Sequence, residues 1–149
     1  MIYINDDDEK RITEKDYTGE ASIVILTNQK NELLLQLRDN IPTIIHPDYW
    51  TVPGGMQEKN ETARETAIRE VEEEIGYKTT KLNLFAQTID TKGRNELISV
   101  FEGKIDKDIS ELHLTEGADM KYFSFDEMND LKVIPFVKKV LQKYKETYK

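Results

Sequence analysis

Apolar residues are concentrated in two neighbouring segments near the start of the chain. Residues 21–26 have the sequence Ala-Ser-Ile-Val-Ile-Leu, and residues 32–38 have the sequence Glu-Leu-Leu-Leu-Gln-Leu-Arg, with a polar turn between them. Short apolar runs on either side of a turn predict two β-strands paired antiparallel. Because the first run is almost continuously apolar, we expect both of its faces to be buried in a sheet that helices cover.

A second hairpin is predicted further along the chain. Residues 80–90 and 95–105 alternate apolar and polar positions on either side of a Thr-Lys-Gly-Arg turn. Their inward side chains should include Leu82, Leu84, Ile98 and Val100.

The C-terminal part of the chain predicts one strand and two helical segments. Residues 121–125 form the strand, and Ser124 can cap a short helical turn over 126–131. Pro135 suits the first position of a last helix. The apolar side of that helix is predicted to comprise Phe136, Val137, Val140, Leu141, Tyr144 and Tyr148.

Between the two hairpins lies a helix dense in carboxylates. Thr62 followed by Glu65 predicts its start, because each side chain can accept a hydrogen bond from the backbone N–H of the other residue. Gly76 predicts its end, since glycine tolerates the left-handed conformation of a C-terminal cap. At roughly 100° per residue, one side of the helix is apolar and should face a core: Ala63, Ala67, Ile68, Val71 and Ile75.

Three glutamates, Glu70, Glu73 and Glu74, occupy the neighbouring side of this helix. Like charges at such spacings destabilise a helix by roughly 0.2–0.5 kcal/mol per pair, and a bound cation reverses that effect. Hard divalent ions such as Mg²⁺ bind one or two carboxylates and complete their shell with water and phosphate oxygens. For three glutamates alone, a solvated acidic face is the simpler interpretation, so the metal site depends on the residues around them.

Length and charge narrow the class of protein. The 149 residues suit a single domain, 1–149, with a polar arm or edge segment at 1–16. A net charge of −8 disfavours attraction to nucleic acid or to an anionic membrane. A phosphate substrate would meet the same repulsion, so its binding requires an ion such as Mg²⁺ or Mn²⁺ that inverts the local field.

The chain contains no cysteine, which excludes disulfides and thiolate metal sites. It shows no signal peptide and no apolar run long enough to span a membrane. The short apolar start at 1–4 is followed closely by four acidic residues. We therefore expect a cytoplasmic protein.

The tract from Gly54 to Tyr77 resembles the signature of the Nudix hydrolases. That signature runs G, five residues, E, seven residues, R-E-U-x-E-E-x-G-U, with U a bulky apolar residue. The matching positions are Gly55, Glu61, Arg69, Glu70, Val71, Glu73, Glu74 and Gly76. Two residues depart from the usual pattern: Tyr77 stands where an aliphatic residue is usual, and Asn60 stands where a glycine often precedes the glutamate. These departures bear on the shape of the loop rather than on the metal ligands.

The resemblance implies an α/β (or α+β) fold, a Nudix-type α/β/α sandwich with a mixed sheet, and an enzyme that uses Mg²⁺ or Mn²⁺. The metal ligands that it implies are Gly55, through its carbonyl, and Glu70, Glu73, Glu74 and Glu116. The catalytic residues that it implies are Glu70, Glu73, Glu116 and Arg69, with one of the three glutamates as the general base. Arg69 would act by position, through a pair with Glu61 that holds the loop against the helix, and Gly76 would be structural.

Three residues outside the tract are candidates for the site. Arg38 ends the second predicted strand, where an arginine of Nudix proteins often lies beside the substrate; a surface salt bridge is the alternative. The Glu116-Gly117 pair resembles a loop that in many members supplies a further glutamate to the metal or to the attacking water. His46 lies in a loop next to proline and could hydrogen-bond the substrate, but we expect it to be an ordinary surface residue.

Together these features predict a pyrophosphohydrolase that cleaves a nucleoside diphosphate linked to another moiety. The small chain lacks the motifs of coenzyme A, pyridine-dinucleotide and ADP-ribose hydrolases and resembles the MutT-like branch. That branch cleaves nucleoside triphosphates, including oxidised ones such as 8-oxo-dGTP, to monophosphate and pyrophosphate. The alternatives are a nucleotide-sugar or ADP-ribose pyrophosphatase, a non-catalytic Nudix-like nucleotide-binding module, and an acidic interaction protein without a site. The expected partner is a small-molecule nucleotide, and a homodimer is a family-level expectation.

Overall fold

Strand β2, Gly19–Thr27, is the centre of the fold. The computed structural model describes residues 2–4, 18–40, 47–89, 95–115 and 117–148, and of residues 2–4 only the backbone. Every side chain of β2 from Ala21 to Thr27 is buried. The strand pairs in parallel with β7, Glu96–Lys104, and antiparallel with β3, Leu33–Leu37. The burial and the antiparallel pairing predicted for the first two strands are therefore confirmed.

The sheet around β2 is mixed. Its other strands are β1, Ile2–Ile4; β4, Trp50–Thr51; β5, Gly54–Met56; β6, Asn83–Ile89; and β8, Asp119–Phe123. The strand order is β1-β6-β7-β2-β3-β4, with β5 paired to β2 and β8 paired to β3. Because β1 pairs in parallel with β6, the stretch predicted as a polar arm or edge segment begins with an edge strand.

Helices cover both faces of this sheet: α1, Ala63–Ile75, on one face, and α2, Phe125–Asn129, with α3, Pro135–Thr147, on the other. On β2, Ile23 and Ile25 belong to the core packed against α2 and α3, whereas Val24 and Leu26 belong to the core packed against α1. Successive side chains of a strand point to opposite faces, so one strand serves two cores. The α/β/α sandwich is confirmed. No helix within the described ranges is long and apolar enough to cross a membrane.

Two of the predicted apolar positions are wrong. Leu84 is 40% exposed, because the register of β6 against β7 shifts between Leu84 and Ala86, and Phe85 takes a buried position instead. Tyr148 is 55% exposed because α3 ends one residue before it. The other inward positions of the second hairpin, Leu82, Ile98 and Val100, are buried as predicted.

Helix α1 begins and ends where the sequence predicts. The Thr62 hydroxyl accepts a hydrogen bond from the Glu65 N–H at 3.1 Å, and the Glu65 carboxylate accepts one from the Thr62 N–H at 3.0 Å. Gly76 ends the helix at a φ of 70°. The buried Ser22 hydroxyl of β2 donates to the Ala63 carbonyl at 2.9 Å, which attaches the first turn of α1 to the central strand. Because β5 also pairs with β2, the glycine strand and α1 lie side by side.

Candidate active site

The two glycines of β5 bring the backbone against two glutamates of α1. A Cβ atom at Gly55 would lie 2.5 Å from Cδ and 2.8 Å from Oε2 of Glu70, well inside van der Waals contact. The Gly54 N–H donates to Oε2 of Glu74 at 2.8 Å. Gly55 therefore forms a cradle for Glu70 that any side chain at position 55 would fill.

Arg69 connects the loop before α1 to the helix through all three of its side-chain nitrogens. Nε and Nη2 donate to the two carboxylate oxygens of Glu61 at 2.7 and 3.0 Å, and Nη2 also donates to the Met56 carbonyl at 3.0 Å. Nη1 donates to Glu70 at 2.7 Å and to Glu73 at 3.1 Å. The planar guanidinium suits this bidentate pairing. The structure thus places Arg69 against Glu61, the partner that the resemblance implies, and against two of the implied metal ligands.

These contacts keep the Glu61 carboxylate in its ionised form. Its pKa falls from 4.5 to about 2, because Arg69 first, then the Glu58 N–H and the Thr66 hydroxyl, donate hydrogen bonds to the carboxylate. In turn, the hydrogen bond to Glu61 is the main cause that raises the pKa of Arg69. Glu61 is therefore ionised at neutral pH and unsuited to exchange a proton there, which agrees with a structural role.

The three glutamates predicted to bind metal lie on one side of α1, and each accepts a hydrogen bond from a nearby donor. Glu70 and Glu73 share Nη1 of Arg69, and Glu74 accepts from Gly54. The side chain of Glu70 is 14% exposed, whereas that of Glu73 is 57% exposed. Within the described residues, no three acidic or histidine side chains form a group that could hold a metal. Like charges repel, so each carboxylate takes a nearby donor instead of converging with the others.

The donor chemistry of this set nevertheless fits a divalent ion. Carboxylate and carbonyl oxygens are the hard ligands that Mg²⁺ and Mn²⁺ prefer. The missing side chain at Gly55 leaves the carboxylate of Glu70 next to the backbone. We take Glu70, Glu73 and Glu74 as the side chains that would hold the ion. Glu116, the fourth predicted carboxylate, lies outside the described residues, as does His46.

A cavity of about 290 Å³ adjoins Glu74. Its lining is formed by Gln36, Leu37, Arg38, Asp39, Thr51, Glu74 and Gly117. The structure thus brings Arg38, the predicted substrate contact, into the same cavity as one predicted metal ligand. Gly117 has a φ of +98°, and a Cβ there would lie 2.6 Å from the Leu37 carbonyl oxygen, so this loop packs closely on the end of β3.

Sequence reasoning missed three of the polar residues that line this cavity, Gln36, Asp39 and Thr51. A signal for Gln36 was present, because it is the single polar residue in the strand sequence Leu-Leu-Leu-Gln-Leu. A polar side chain in a buried run needs a hydrogen-bond partner, which marks the position for closer attention. Asp39 and Thr51 carried no comparable signal.

The two departures from the Nudix signature have structural explanations. Asn60 has a φ of 67°, a left-handed conformation that asparagine adopts more readily than other residues with a side chain. The Tyr77 ring packs against the core on the α1 face, and its hydroxyl lies 3.4 Å from the Lys104 carbonyl oxygen. Burial is the main cause that raises the pKa of Tyr77. Asn60 thus adopts a backbone conformation that glycine also adopts, and Tyr77 occupies an apolar, packed position.

Comparison with known families agrees with this geometry, since the NUDIX domain matches residues 17–144. The chain belongs to the Nudix family. The match extends over most of the chain and includes the glycine strand, α1 and the cavity.

The relatives and solved structures that match this Nudix protein carry different names and ligands. A protein of Bacillus subtilis (strain 168), provisionally named an 8-oxo-dGTP diphosphatase, is 38% identical over 61 residues, which are 41% of this chain and 36% of that protein. The match thus spans well under half the length of that relative. The crystal structure of a MutT protein from Methanosarcina mazei Go1 has a TM-score of 0.74 at 20% identity and covers 92% of this chain and 100% of its own. The NUDIX domain of Shewanella oneidensis NrtR, crystallised with ADP ribose, has a TM-score of 0.72 at 13% identity, covering 93% and 94%. At such low identities, these two structures establish the fold alone.

Proposed function

We propose that this Nudix protein is a divalent-metal-dependent pyrophosphohydrolase that cleaves a nucleoside diphosphate linked to another moiety. The observation that carries the proposal is the packing of Gly55 against Glu70 beside the guanidinium of Arg69, which holds the glycine loop on the carboxylate side of α1. A nucleoside triphosphate, normal or oxidised as in 8-oxo-dGTP, is the substrate that we favour. The provisional name of the Bacillus subtilis relative supports this choice.

The metal in this proposal is Mg²⁺ or Mn²⁺, held by Glu70, Glu73 and Glu74 and by the carbonyl of Gly55. When bound, such an ion polarises a phosphoryl oxygen, offsets the charge of the leaving pyrophosphate and lowers the pKa of coordinated water. Because the protein carries a net charge of −8, the ion also removes the repulsion that a phosphate substrate would meet.

The protein side of the reaction is general base catalysis and positioning. One glutamate among Glu70, Glu73 and Glu116 accepts a proton from the attacking water, whose oxygen bonds to phosphorus as the phosphoanhydride bond breaks. Arg69 is already hydrogen-bonded to Glu70 and Glu73, and it sets their position rather than taking the proton. Arg38, on the wall of the cavity beside Glu74, contacts phosphate or ribose in this arrangement.

The alternative enzymes can be distinguished by their products, and the non-catalytic alternatives by the signature and by metal binding. A nucleotide-sugar or ADP-ribose pyrophosphatase would release a nucleoside monophosphate and a sugar phosphate, whereas the favoured reaction releases pyrophosphate. A binding module without catalysis would be favoured by a disrupted signature, and the signature in this chain is intact. An acidic interaction protein without a site would bind no Mg²⁺ or Mn²⁺ through its helix glutamates.

The test is hydrolysis of a substrate panel with Mg²⁺ or Mn²⁺, scored by chromatography of the products. The panel contains normal and oxidised nucleoside triphosphates, ADP-ribose, nucleotide sugars and dinucleoside polyphosphates. Glu73→Gln should lower turnover of the best substrate by orders of magnitude while the protein stays folded. Glu72→Gln is the matched control, since the neighbouring Glu72 is exposed and its carboxylate lies 3.7 Å from Nζ of the exposed Lys78. Parent turnover in Glu73→Gln would disprove our ligand assignment.

Metal binding is measured separately from turnover. Isothermal titration with Mn²⁺ should show binding to the parent and weaker binding to Glu70→Ala, because one carboxylate ligand is lost. Equal titration curves for the two proteins would contradict a metal site on this side of α1.

Assembly and location are proposed separately from the reaction. We retain a cytoplasmic location and a small-molecule nucleotide as the partner, with nucleic acid disfavoured by the net charge of −8. A homodimer remains a family-level proposal, and light scattering of the purified protein tests it.

A further inference from the structure

A buried amide on β3 is not explained by the proposed reaction. Gln36 is 5% exposed, and its Oε1 is the single buried side-chain polar atom in the described part of the chain that has no hydrogen-bond partner. Buried acceptors in folded proteins are almost always satisfied, because an unpaired one has lost its hydrogen bonds to water without replacement. In the wall of a cavity, such an atom is available to a hydrogen-bond donor that enters with a ligand.

The position of Gln36 directs its side chain to the candidate site. Leu34, two residues earlier on the same strand, packs in the core on the α1 face, so Gln36 faces the same side of the sheet. Thr51 is its register partner on β4. Gln36, Thr51, Arg38 and Glu74 all line the cavity of about 290 Å³. The unpaired amide therefore shares a cavity with a predicted metal ligand.

The chemistry of the amide oxygen restricts what it can bind. Oε1 is an acceptor only, and so are the oxygens of a phosphate and of the Glu74 carboxylate on the same wall. A phosphate oxygen would be repelled by Oε1, which is satisfied by an N–H or O–H donor or by a cation. We take the donor, since the carboxylates that would hold the ion lie on α1. The cavity is at the small end of ligand sites, which are roughly 300–1,000 Å³. It therefore accommodates one part of a nucleotide rather than the whole molecule.

We infer that Oε1 of Gln36 accepts a hydrogen bond from the nucleoside part of the substrate and selects substrates that carry a donor at that place. The inference rests on the proposed function and deepens it, because it assigns a specificity residue to the same site. The donor has two sources in a nucleoside, an amino or ring N–H of the base and a hydroxyl of the ribose. Pairs of triphosphates that differ by one donor distinguish these sources.

The experiment compares kcat and KM of three proteins: the parent, Gln36→Met and Gln87→Met. Methionine keeps the length of the side chain and removes the amide. Gln87 is the matched control, because it lies on β6, away from the cavity, with one weak contact to Ser99 at 3.5 Å. For donors on the base, the compared substrates are ATP with purine riboside triphosphate and GTP with ITP for the two amino groups. For the ring N–H groups they are ITP with purine riboside triphosphate and dGTP with 8-oxo-dGTP. The ribose pairs are ATP against its 2′-deoxy and 3′-deoxy forms.

In one of these pairs, the parent should prefer the member with the donor by about tenfold in kcat/KM, the effect of one hydrogen bond. Gln36→Met should abolish that preference by raising KM, while kcat stays within about twofold, because the contact is remote from the reacting bond. Gln87→Met should keep the preference. Since Gln36→Met removes an unpaired acceptor, its urea midpoint should equal or exceed that of the parent, whereas a structural hydrogen bond would make it fall.

Two outcomes overturn the inference while the proposed function stands. In the first, the parent cleaves both members of every pair equally well. In the second, Gln36→Met loses the same factor on all substrates, which indicates a purely structural amide. If the parent cleaves nothing, the proposed function fails, and calorimetric binding of the same nucleosides as α,β-methylene triphosphates tests the donor selection by itself. If these analogues also do not bind, both proposals are wrong.

Discussion

Alanine substitutions at the adjacent residues Gly54 and Gly55 should affect different properties of the protein. Neither glycine has a positive φ, so the effect of a new Cβ is steric rather than conformational. At Gly55 the new atom meets the end of a flexible side chain, Glu70, whereas at Gly54 it meets the backbone of β2. We expect Gly55→Ala to lose activity and Gly54→Ala to lose stability.

The expected loss at Gly55 follows from the distance to Glu70. The new Cβ would lie 2.5 Å from Cδ of Glu70, so the carboxyl group must withdraw by roughly 1 Å to restore ordinary contact. A misplacement of about 1 Å at a reacting group costs roughly 100-fold in rate, or about 2.7 kcal/mol of activation free energy. Because only a side chain must move, at an off-rotamer cost of roughly 0.5–1.5 kcal/mol, the free energy of unfolding should fall by about 1 kcal/mol.

At Gly54 the expected loss is in folding stability rather than in activity. A Cβ there would lie 2.5 Å from the Ser22 carbonyl oxygen and 3.0 Å from Cα of Ile23, both in the strand that β5 pairs with. The two strands must separate, and overpacking of this kind costs roughly 1–3 kcal/mol of folding free energy.

The assay combines urea denaturation with steady-state hydrolysis of the best substrate of the panel, with Mg²⁺ at saturation. Parent turnover in a folded Gly55→Ala protein would refute the role of the Gly55–Glu70 contact. Equal losses of stability in the two variants would show that the difference between a side-chain neighbour and a backbone neighbour does not matter here.

Three further predictions concern stability. Asn60→Ala should lower the free energy of unfolding by about 1 kcal/mol, because the left-handed conformation disfavours alanine, while Asn60→Gly should cost nothing in urea denaturation. Thr62→Ala removes one of the two reciprocal hydrogen bonds between Thr62 and Glu65 at the start of α1. It should lower the free energy of unfolding by about 1 kcal/mol in the same assay. Burial, and next the charge of Glu102, raise the pKa of Tyr144 to about 12. The folded protein keeps this proton above pH 10 while the unfolded chain releases it, so stability falls from pH 10 to 12, and Tyr144→Phe should flatten that fall.

Most of α1 could be predicted because its determinants are neighbours in the chain. Thr62 and Glu65 act within one helical turn, and Gly76 acts at the next residue after the last turn. The two hairpins and the C-terminal helix were also readable, from runs and alternation of apolar residues, whereas strand β1 was not. The exposure of Leu84 was not, since it depends on a shift in register against a partner strand.

The helix, its cluster of glutamates and the family of the chain could be predicted, because they depend on residue identity at short spacings. Apart from the pair of Arg69 with Glu61, the contacts between these groups required the folded structure. Arg69 spans from the loop to two glutamates, and Gln36 shares a cavity with Glu74, although β3 and α1 are distant in sequence. The physical reason is that contacts between distant residues are set by strand pairing and by packing against two cores, and a linear pattern does not contain that geometry.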